Sequence, residues 1–547
     1  MRVSYGFDIL DRITNIVWRN SDNAVLTGFA YGYNNAGMIT NVTRSGFVPG
    51  RNGVDGTQVS EFQYDSLDRL VSEGSAGSAR GYSYDLAGNR LSKTTDGMTV
   101  NYTLGTGNRL SSWSLDAVNP VGRVDVAGYA NEPIGTNLLY GELYVSNAVA
   151  ATVPDVQGSN FWAQGVQVGA GTQQIVVAAG DAAGNVGRAT NTIFVSIVSN
   201  ASYSYSAAGC VTNIRYIGNE YTNSLGIFWD GQYRLTEVKT NGASAERHGY
   251  DVYGRRVWTC DPSASSGQAE TNWFIYSGAQ IIADVNATGG LIRTYVWGPG
   301  IDNLLAMNVH TGVTTPRTYF PIKDHLGTIH AMVDESGLVV ESYEFDAWGR
   351  VLDVRDSSGS SLITHHSSLG NRYLWQGREY SWNTGFYYFR ARWYEPVTGR
   401  WLSNDPIGIS GGLNQYIFCA NNPVDNQDPS GHCNNDSTMF TSGVFMTGMK
   451  WAQGKIGILV KGVMYALDTL VGSNVSVEFE YQKPITKPPS PAPFKKIFPP
   501  KVNPPQKPDL PQQYKGPAGW YKGLWIFPGA DMMIYDALQK ISEPTGA

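Results

Sequence analysis

The sequence predicts an all-β protein made of stacked aromatic hairpins, and three observations carry that expectation. Its 547 residues include 32 Tyr, 15 Trp and 63 Gly but only 16% charged residues, a composition that suits short strands and tight turns. One short unit recurs along most of the chain. Adjacent good copies lie close to twenty residues apart, Tyr64 to Tyr84 being 20 and Trp229 to Tyr250 being 21, which is room for two strands and two turns.

The unit is an aromatic pair at i and i+2, an Asp or small polar residue, a two-residue gap, Gly or Asp, then Arg-Leu or its equivalent. It reads FQYDSLDRLVSEG at 62–74, YSYDLAGNRLSK at 82–93, YSYSAAGCVTNI at 203–214, FWDGQYRLTEV at 228–238 and GYDVYGRRVW at 249–258, with looser copies from Tyr5 and Tyr31. Tyr82 and Tyr84 share one face of a strand because side chains alternate with period two. Asp85 is placed to bond its own backbone in a turn, and Gly88 to take positive φ at no steric cost. Arg90-Leu91 then opens the returning strand. Such a hairpin has to stack on its neighbours to bury its aromatic face.

Residues 115–200 break the rhythm. NLLYGELYVSNAVAATV, SNFWAQGVQV, QQIVVAAGDAAGNVG and NTIFVSIV alternate apolar and polar residues with turn signals between them, which reads as a small β-sandwich. The stretch is similar to bacterial immunoglobulin-like modules, DAAGN at Asp181 to Asn185 being a common turn of these, and a spacer is the expected role. The repeats resume at 201–317, so residues 1–114 and 201–317 form one repeat region divided by an insertion.

A net charge of −6 over this length makes no strong field and implies no nucleic-acid partner for the repeats. Cys210, Cys260, Cys419 and Cys433 are scattered, with no metal-ligand spacing, so buried free thiols are expected rather than a metal site or disulfide framework. No cofactor is expected. The first residues carry neither an apolar signal core nor a cleavage site, and they enter the repeat in mid-stride, which suggests the C-terminal piece of something longer.

From 318 the sequence becomes more specific: TYFPIKDHLGTIHAMVDESGLVVESYEFDAWGRV, then RYLWQGREYSWNTGFYYFRARWYEPVTGRWLSNDPIGISGGLNQYIFCANNPVDNQDPSGH. Together with the repeats, over 2–114 and 201–432, this resembles the rearrangement-hotspot (RHS) and tyrosine-aspartate (YD) repeat family of polymorphic toxins, insecticidal toxin complex C components and teneurin shells. The resemblance implies a spiral YD-repeat β-shell enclosing a cavity, a core block at 318–432 that plugs one end, and a variable segment at 433–547 sealed inside or trailing. It also implies self-cleavage just beyond the second Asp-Pro-x-Gly. Asp405 matches the family's catalytic carboxylate, Arg392 the arginine that holds the site in order, and the bond between His432 and Cys433 the scissile one.

The chemistry is coherent. A shielded carboxylate can serve as general acid or base, a guanidinium can orient it, and Asp428 could supply a second carboxylate whose unlike environment would split the two pKa values. At most this is a single turnover, on the chain itself. Two departures from the family pattern stand against it: His432 where an apolar residue is usual, and Ser381 where Asp is usual. A purely structural plug, with these residues capping turns and pairing charges, stands beside the self-cleaving reading.

Other motifs carry less. GISGG at 408–412 satisfies G-x-S-x-G around Ser410 but lacks the strand before and helix after that a nucleophile elbow needs. Asp324-His325 is expected to make structural hydrogen bonds in the DHLG hairpin. His365-His366 cannot both face one metal from a strand. The tail from Cys433 has 12 Lys, no Arg and 8 acidic residues, a surplus of +4 that leaves −10 for the rest. Within it, 443–472 has loosely helical apolar spacing broken by Lys450, Lys455 and Lys461, too often for a membrane span. Residues 484–511 hold 11 prolines and read as a polyproline linker, and a short helix could start at Asp531. The tail is inert cargo, a membrane-active segment or an enzyme without a recognised motif.

The resemblance further implies export or surface display, with the chain's own C-terminal segment and a cell-surface, immunity or delivery protein as partners. The competing reading is a surface adhesion protein of the YD-shell type with no toxin.

Overall fold

The computed structural model describes residues 1–432 except 47–55, 76–77, 117–120, 130–137, 146–147, 150–154, 158–159, 182–185, 196, 219–220, 263–269, 311–314 and 358–366. All of them belong to the compact unit Met1–Ile485; the second unit, Thr486–Ala547, lies outside the described residues. So do His365-His366, Cys433 and the segments 443–472 and 484–511.

Twenty-four strands make one antiparallel sheet. From Arg2–Phe7 to Leu110–Asp116 each strand pairs with the next in the chain, and the same holds from Val198–Tyr205 to Val351–Asp356. The two runs join where Ser112, Trp113 and Ser114 pair with Ser202, Ala201 and Asn200. The inserted segment therefore leaves and re-enters at one position of the ribbon. It holds a three-stranded sheet (Val121–Tyr129, Asp155–Gln157, Asn160–Gly169) and a four-stranded one (Leu138–Val145, Ala148–Val149, Gly171–Asp181, Val186–Val195). Ala163 and Val166 of the first pack on Ile175 of the second.

The repeating turn has a fixed internal chemistry. At 65–69, Asp65 N–H donates to Arg69 O (3.0 Å) and Asp68 N–H to Asp65 O (3.1 Å). Asp65 Oδ1 accepts from the N–H groups of Leu67 (2.9 Å) and Arg69 (3.0 Å), and Oδ2 from Arg69 Nε (2.7 Å). The fourth turn position needs positive φ, 78° at Gly88 and 60° at Asp68, which explains the Gly-or-Asp alternation of the repeat. Arg69 then reaches forward: its Nη1 donates to Asp85 O (2.8 Å) and its guanidinium lies 4.9 Å from the Tyr84 ring, while Tyr84 Oη donates back to Leu70 O (2.6 Å). Arg234, Asp251, Tyr250 and Leu235 repeat the pattern at 3.1, 4.8 and 2.7 Å. A hairpin alone has nothing for these hooks to hold, so the unit is stable only in series.

In a meander every second turn lies on the same edge. The turns at 8–12, 34–38, 65–69, 85–89, 105–109, 206–210, 230–234, 251–255, 298–303, 324–328 and 346–350 share one edge, and the insertion leaves from the other. The first part of the expected core block, through Asp356, continues the ribbon as its last four strands. The rest, called the core block below, with its small sheet Glu379–Tyr380, Tyr387–Phe389, Arg392–Glu395 and Arg400–Trp401, is seated on the turn edge. Three hydrophobic clusters bind it to the ribbon. Trp375, Tyr387, Phe389, Tyr394 and Phe418 pack with strands of 274–354; Phe386, Tyr388, Trp393 and Leu402 with strands of 102–238; and Val424 with strands of 3–82. Every sector of the ribbon thus closes on the same block.

Ions join the two as well. Glu379 of the block receives Arg256 of the ribbon (2.6 Å) and Arg372 (2.7 Å), and Arg372 also donates to Asp284 of the ribbon (2.9 Å). Burial acts to raise the Glu379 carboxyl, but Arg256 and then Arg372 outweigh it and hold it at about 2, against an ordinary 4.5. A carboxyl lowered on folding stabilises fully above its unfolded value and loses that contribution as pH falls toward the folded one. The denaturation midpoint should therefore drop between about pH 4.5 and pH 2, and Glu379→Gln, weaker at neutral pH, should lose roughly 3 kcal/mol of that pH dependence.

Candidate functional site

The two Asp-Pro-x-Gly turns meet on one arginine. Arg392, at the start of a core-block strand, is 1% exposed, and its guanidinium lies 4.1 Å from the Trp401 ring. Its Nη1 is 3.1 Å from Asp405 Oδ2 and its Nη2 is 3.3 Å from Asp428 Oδ2. Its Nε donates to Gly431 O (2.5 Å) and its Nη1 to Gln415 O (3.3 Å). Both carboxylates are buried.

Each aspartate uses one oxygen for its own turn and the other for the shared arginine. Asp405 Oδ1 accepts Ile407 N–H (3.0 Å). Asp428 Oδ1 accepts Ser430 Oγ (3.1 Å) and the N–H groups of Gly431 (2.9 Å) and His432 (3.0 Å). Gly431 has φ +74°, and a Cβ there would collide with Phe389 O and the Arg392 backbone nitrogen, so no other residue fits that close approach. Both carboxylates are buried, cap a turn and face one guanidinium, but Asp405 Oδ1 accepts from one group of its turn and Asp428 Oδ1 from three. Proline and glycine shape the two turns so that their free oxygens converge.

The remaining candidates separate from this site. Ser381 is buried elsewhere and donates a short hydrogen bond to Glu246 of the ribbon, while Thr384 Oγ1 donates to Ser381 Oγ (2.8 Å). Burial pushes the Glu246 carboxyl up, against the bonds from Ser381 and Thr259. A hydroxyl at 381 suits that carboxyl, where a second carboxylate would repel it. Ser410 is exposed in a short 3-10 turn, Gly408–Gly411, with no strand–elbow–helix around it. Asp324 accepts Leu326 and Thr328 N–H groups (both 2.9 Å), and His325 Nε2 contacts Val424 O (2.9 Å), linking that hairpin to the core block. Cys210, Cys260 and Cys419 are buried and none of them is in a disulfide. Among the described residues no cluster of acidic, His and Cys side chains could hold a metal, and no helix is long and apolar enough to cross a membrane.

Sequence reasoning missed Gly431, Trp401 and the Gln415 carbonyl as members of the site. The glycine of DPSG was visible, but not that it packs against Arg392. Replacing Arg392 by Met should leave two buried carboxylates and two carbonyls without their guanidinium and cost about 3–5 kcal/mol, read as a lower urea midpoint. Ser381→Asp should destabilise by roughly 1–3 kcal/mol through repulsion with Glu246, although it restores the residue the family pattern favours.

Residues 194–424 match the family model described as Teneurin YD-shell. Among curated proteins, the chain is 29% identical over 223 residues to "Double-stranded DNA deaminase toxin A" of Burkholderia cenocepacia, covering 37% of this chain and 15% of that protein. It is 31% identical over 231 residues to "tRNA nuclease WapA" of Bacillus subtilis, covering 40% of this chain and 9% of that protein. Both matches thus span a small fraction of the relatives' length. The solved structure "Crystal Structure of TcdB2-TccC3-TEV" aligns with a TM-score of 0.33 and 16% identity over 78% of this chain and 21% of that one. The matched segment is less than half of the chain, and over it the all-β hairpin ladder and its closing block are similar to those of RHS/YD-repeat shells.

Proposed function

We propose that the chain is an RHS-type β-shell scaffold that encloses or presents its variable C-terminal segment, 433–547, and frees it by intramolecular cleavage after His432. The observation that carries this reading is the clasp of Arg392 on Asp405, Asp428 and Gly431 O. It anchors the chain one residue before the proposed bond through the same guanidinium that holds both carboxylates, and Asp428 accepts the N–H of His432 itself, while the fold would supply a high effective concentration. A carboxylate there would move a proton between an attacking water and the leaving amide nitrogen, and Arg392 would keep the segment in place. The names of the relatives, a deaminase toxin and a tRNA nuclease, agree with a scaffold that carries cargo. The inserted sheets would act as an immunoglobulin-like spacer. Export or surface display, and a delivery or immunity partner, follow from the same reading.

The rival reading, a plug or adhesion shell without cleavage, draws on the same contacts. Both aspartates are already engaged by Arg392 and by their own turns, and His432 replaces an apolar residue. A denaturing gel of the purified chain decides between them. Self-cleavage should release a fragment of the final 115 residues from wild type, and Asp405→Asn should remain a single band. An uncut wild type would rule out cleavage and leave the plug.

A further inference from the structure

Lys323 ends the strand Arg317–Lys323 on the edge that the core block closes, and is only 7% exposed. Lys93, also buried, is matched by Asp346 at 3.1 Å. Lys323 instead points its Nζ at two neutral oxygens, Asn303 Oδ1 and Leu304 O, each 2.6 Å away. Burial lowers its amine to about 7, so near neutral pH much of it is uncharged and nucleophilic.

Asn303 is set to receive it. The pairing of Met307 with Tyr319 and of Val309 with Arg317, continued toward the turn, places Asn303 opposite Lys323. The amide has one side facing in and one facing out: Oδ1 meets the buried amine, while Nδ2 donates to Pro299 O (3.0 Å) in an exposed contact. Gly298 leaves room for it, since a Cβ there would lie 2.6 Å from Asn303 Nδ2.

We propose that Lys323 and Asn303 join in an intramolecular isopeptide bond, a covalent staple from the end of the 298–303 turn to the neighbouring strand Arg317–Lys323. The Nζ lone pair attacks Asn303 Cγ, the carbon bonded to the oxygen that Nζ already touches. The Cγ–Nδ2 bond breaks, one proton passes from Nζ to Nδ2, and ammonia leaves on the exposed side. One amide replaces another, so no oxidant or cofactor enters. Leu304 O, accepting from Nζ, keeps the amine aimed. The product ties two neighbouring strands at the rim where the core block is seated, so that this rim could not open by separating them.

Mass spectrometry of the purified full chain tests the bond. Both residues stay on one fragment whether or not the chain is cut after His432. The species that contains them should be lighter than its sequence by one ammonia, and proteolysis should yield a branched peptide joining Lys323 to residue 303. Lys323→Met should restore the full mass. Wild type at full mass, with separate linear peptides covering Asn303 and Lys323, overturns the proposal. Ammonia lost at residue 303 in a linear peptide, the mark of a succinimide, overturns it equally, and the wild-type peptide map decides even if the variant fails to fold.

Discussion

The structure depends on what happens to the carbonyls of its turns. Each five-residue turn closes with the N–H of its first residue on the carbonyl of its fifth, and the N–H of its fourth on the carbonyl of its first. The carbonyls of the third and fourth residues are left with no partner inside the turn, and alternate turns of the antiparallel meander set theirs on the edge that the core block closes. Buried without partners, they would each cost free energy comparable to a lost hydrogen bond. The core block supplies the donors. Asn414 and Asn421 take Ala87 O (3.0 Å) and Gly88 O (2.8 Å), Asn404 and Tyr416 take Ala208 O (3.0 Å) and Gly209 O (2.8 Å), and Tyr394 and Tyr387 take Trp348 O (2.9 Å) and Gly349 O (2.8 Å). The same pair of positions is matched in turn after turn, so the block fits the edge as a row of donors fits a row of acceptors.

That matching explains the composition of the closing block. Its asparagines, tyrosines and arginines are polar enough to reach backbone oxygens and flat or long enough to lie against aromatic rings. Arg90 of the ribbon shows the second half of this: its guanidinium lies 4.1 Å from the Trp348 ring and 4.9 Å from the Tyr82 ring, in a setting that keeps a buried cation against π faces. The interior is therefore aromatic and polar together rather than uniformly aliphatic.

The Arg392 clasp is the same principle applied once more, to two turns of the block itself. Asp405 and Asp428 lie far apart in sequence terms for a turn pair, yet each offers a carboxylate oxygen that its own turn does not use. One guanidinium binds both and the backbone just before the end of the described chain. A buried guanidinium held by two carboxylates, two carbonyls and an indole face is well compensated, whereas removing any one member strands the others. The paired Asp-Pro-x-Gly motifs are thus two halves of a single structural element.

Much of this was legible in the residues. The aromatic pair, the Asp and the Gly-or-Asp of each unit determined the hairpin and its turn, because side-chain alternation, an Asx hydrogen bond and a positive φ are local matters decided within about five residues. The grouping of Asp405, Arg392 and Asp428 came from motif order, not from any physical rule readable along the chain. What only the tertiary structure decided was contact between distant segments: that Ser381 answers Glu246, that Gly431 is pressed against Arg392, and that Lys323 loses its water and meets Asn303. Burial and electrostatic surroundings depend on which strands become neighbours, and a one-dimensional pattern states the period of a ribbon without stating what will be closed against its edge.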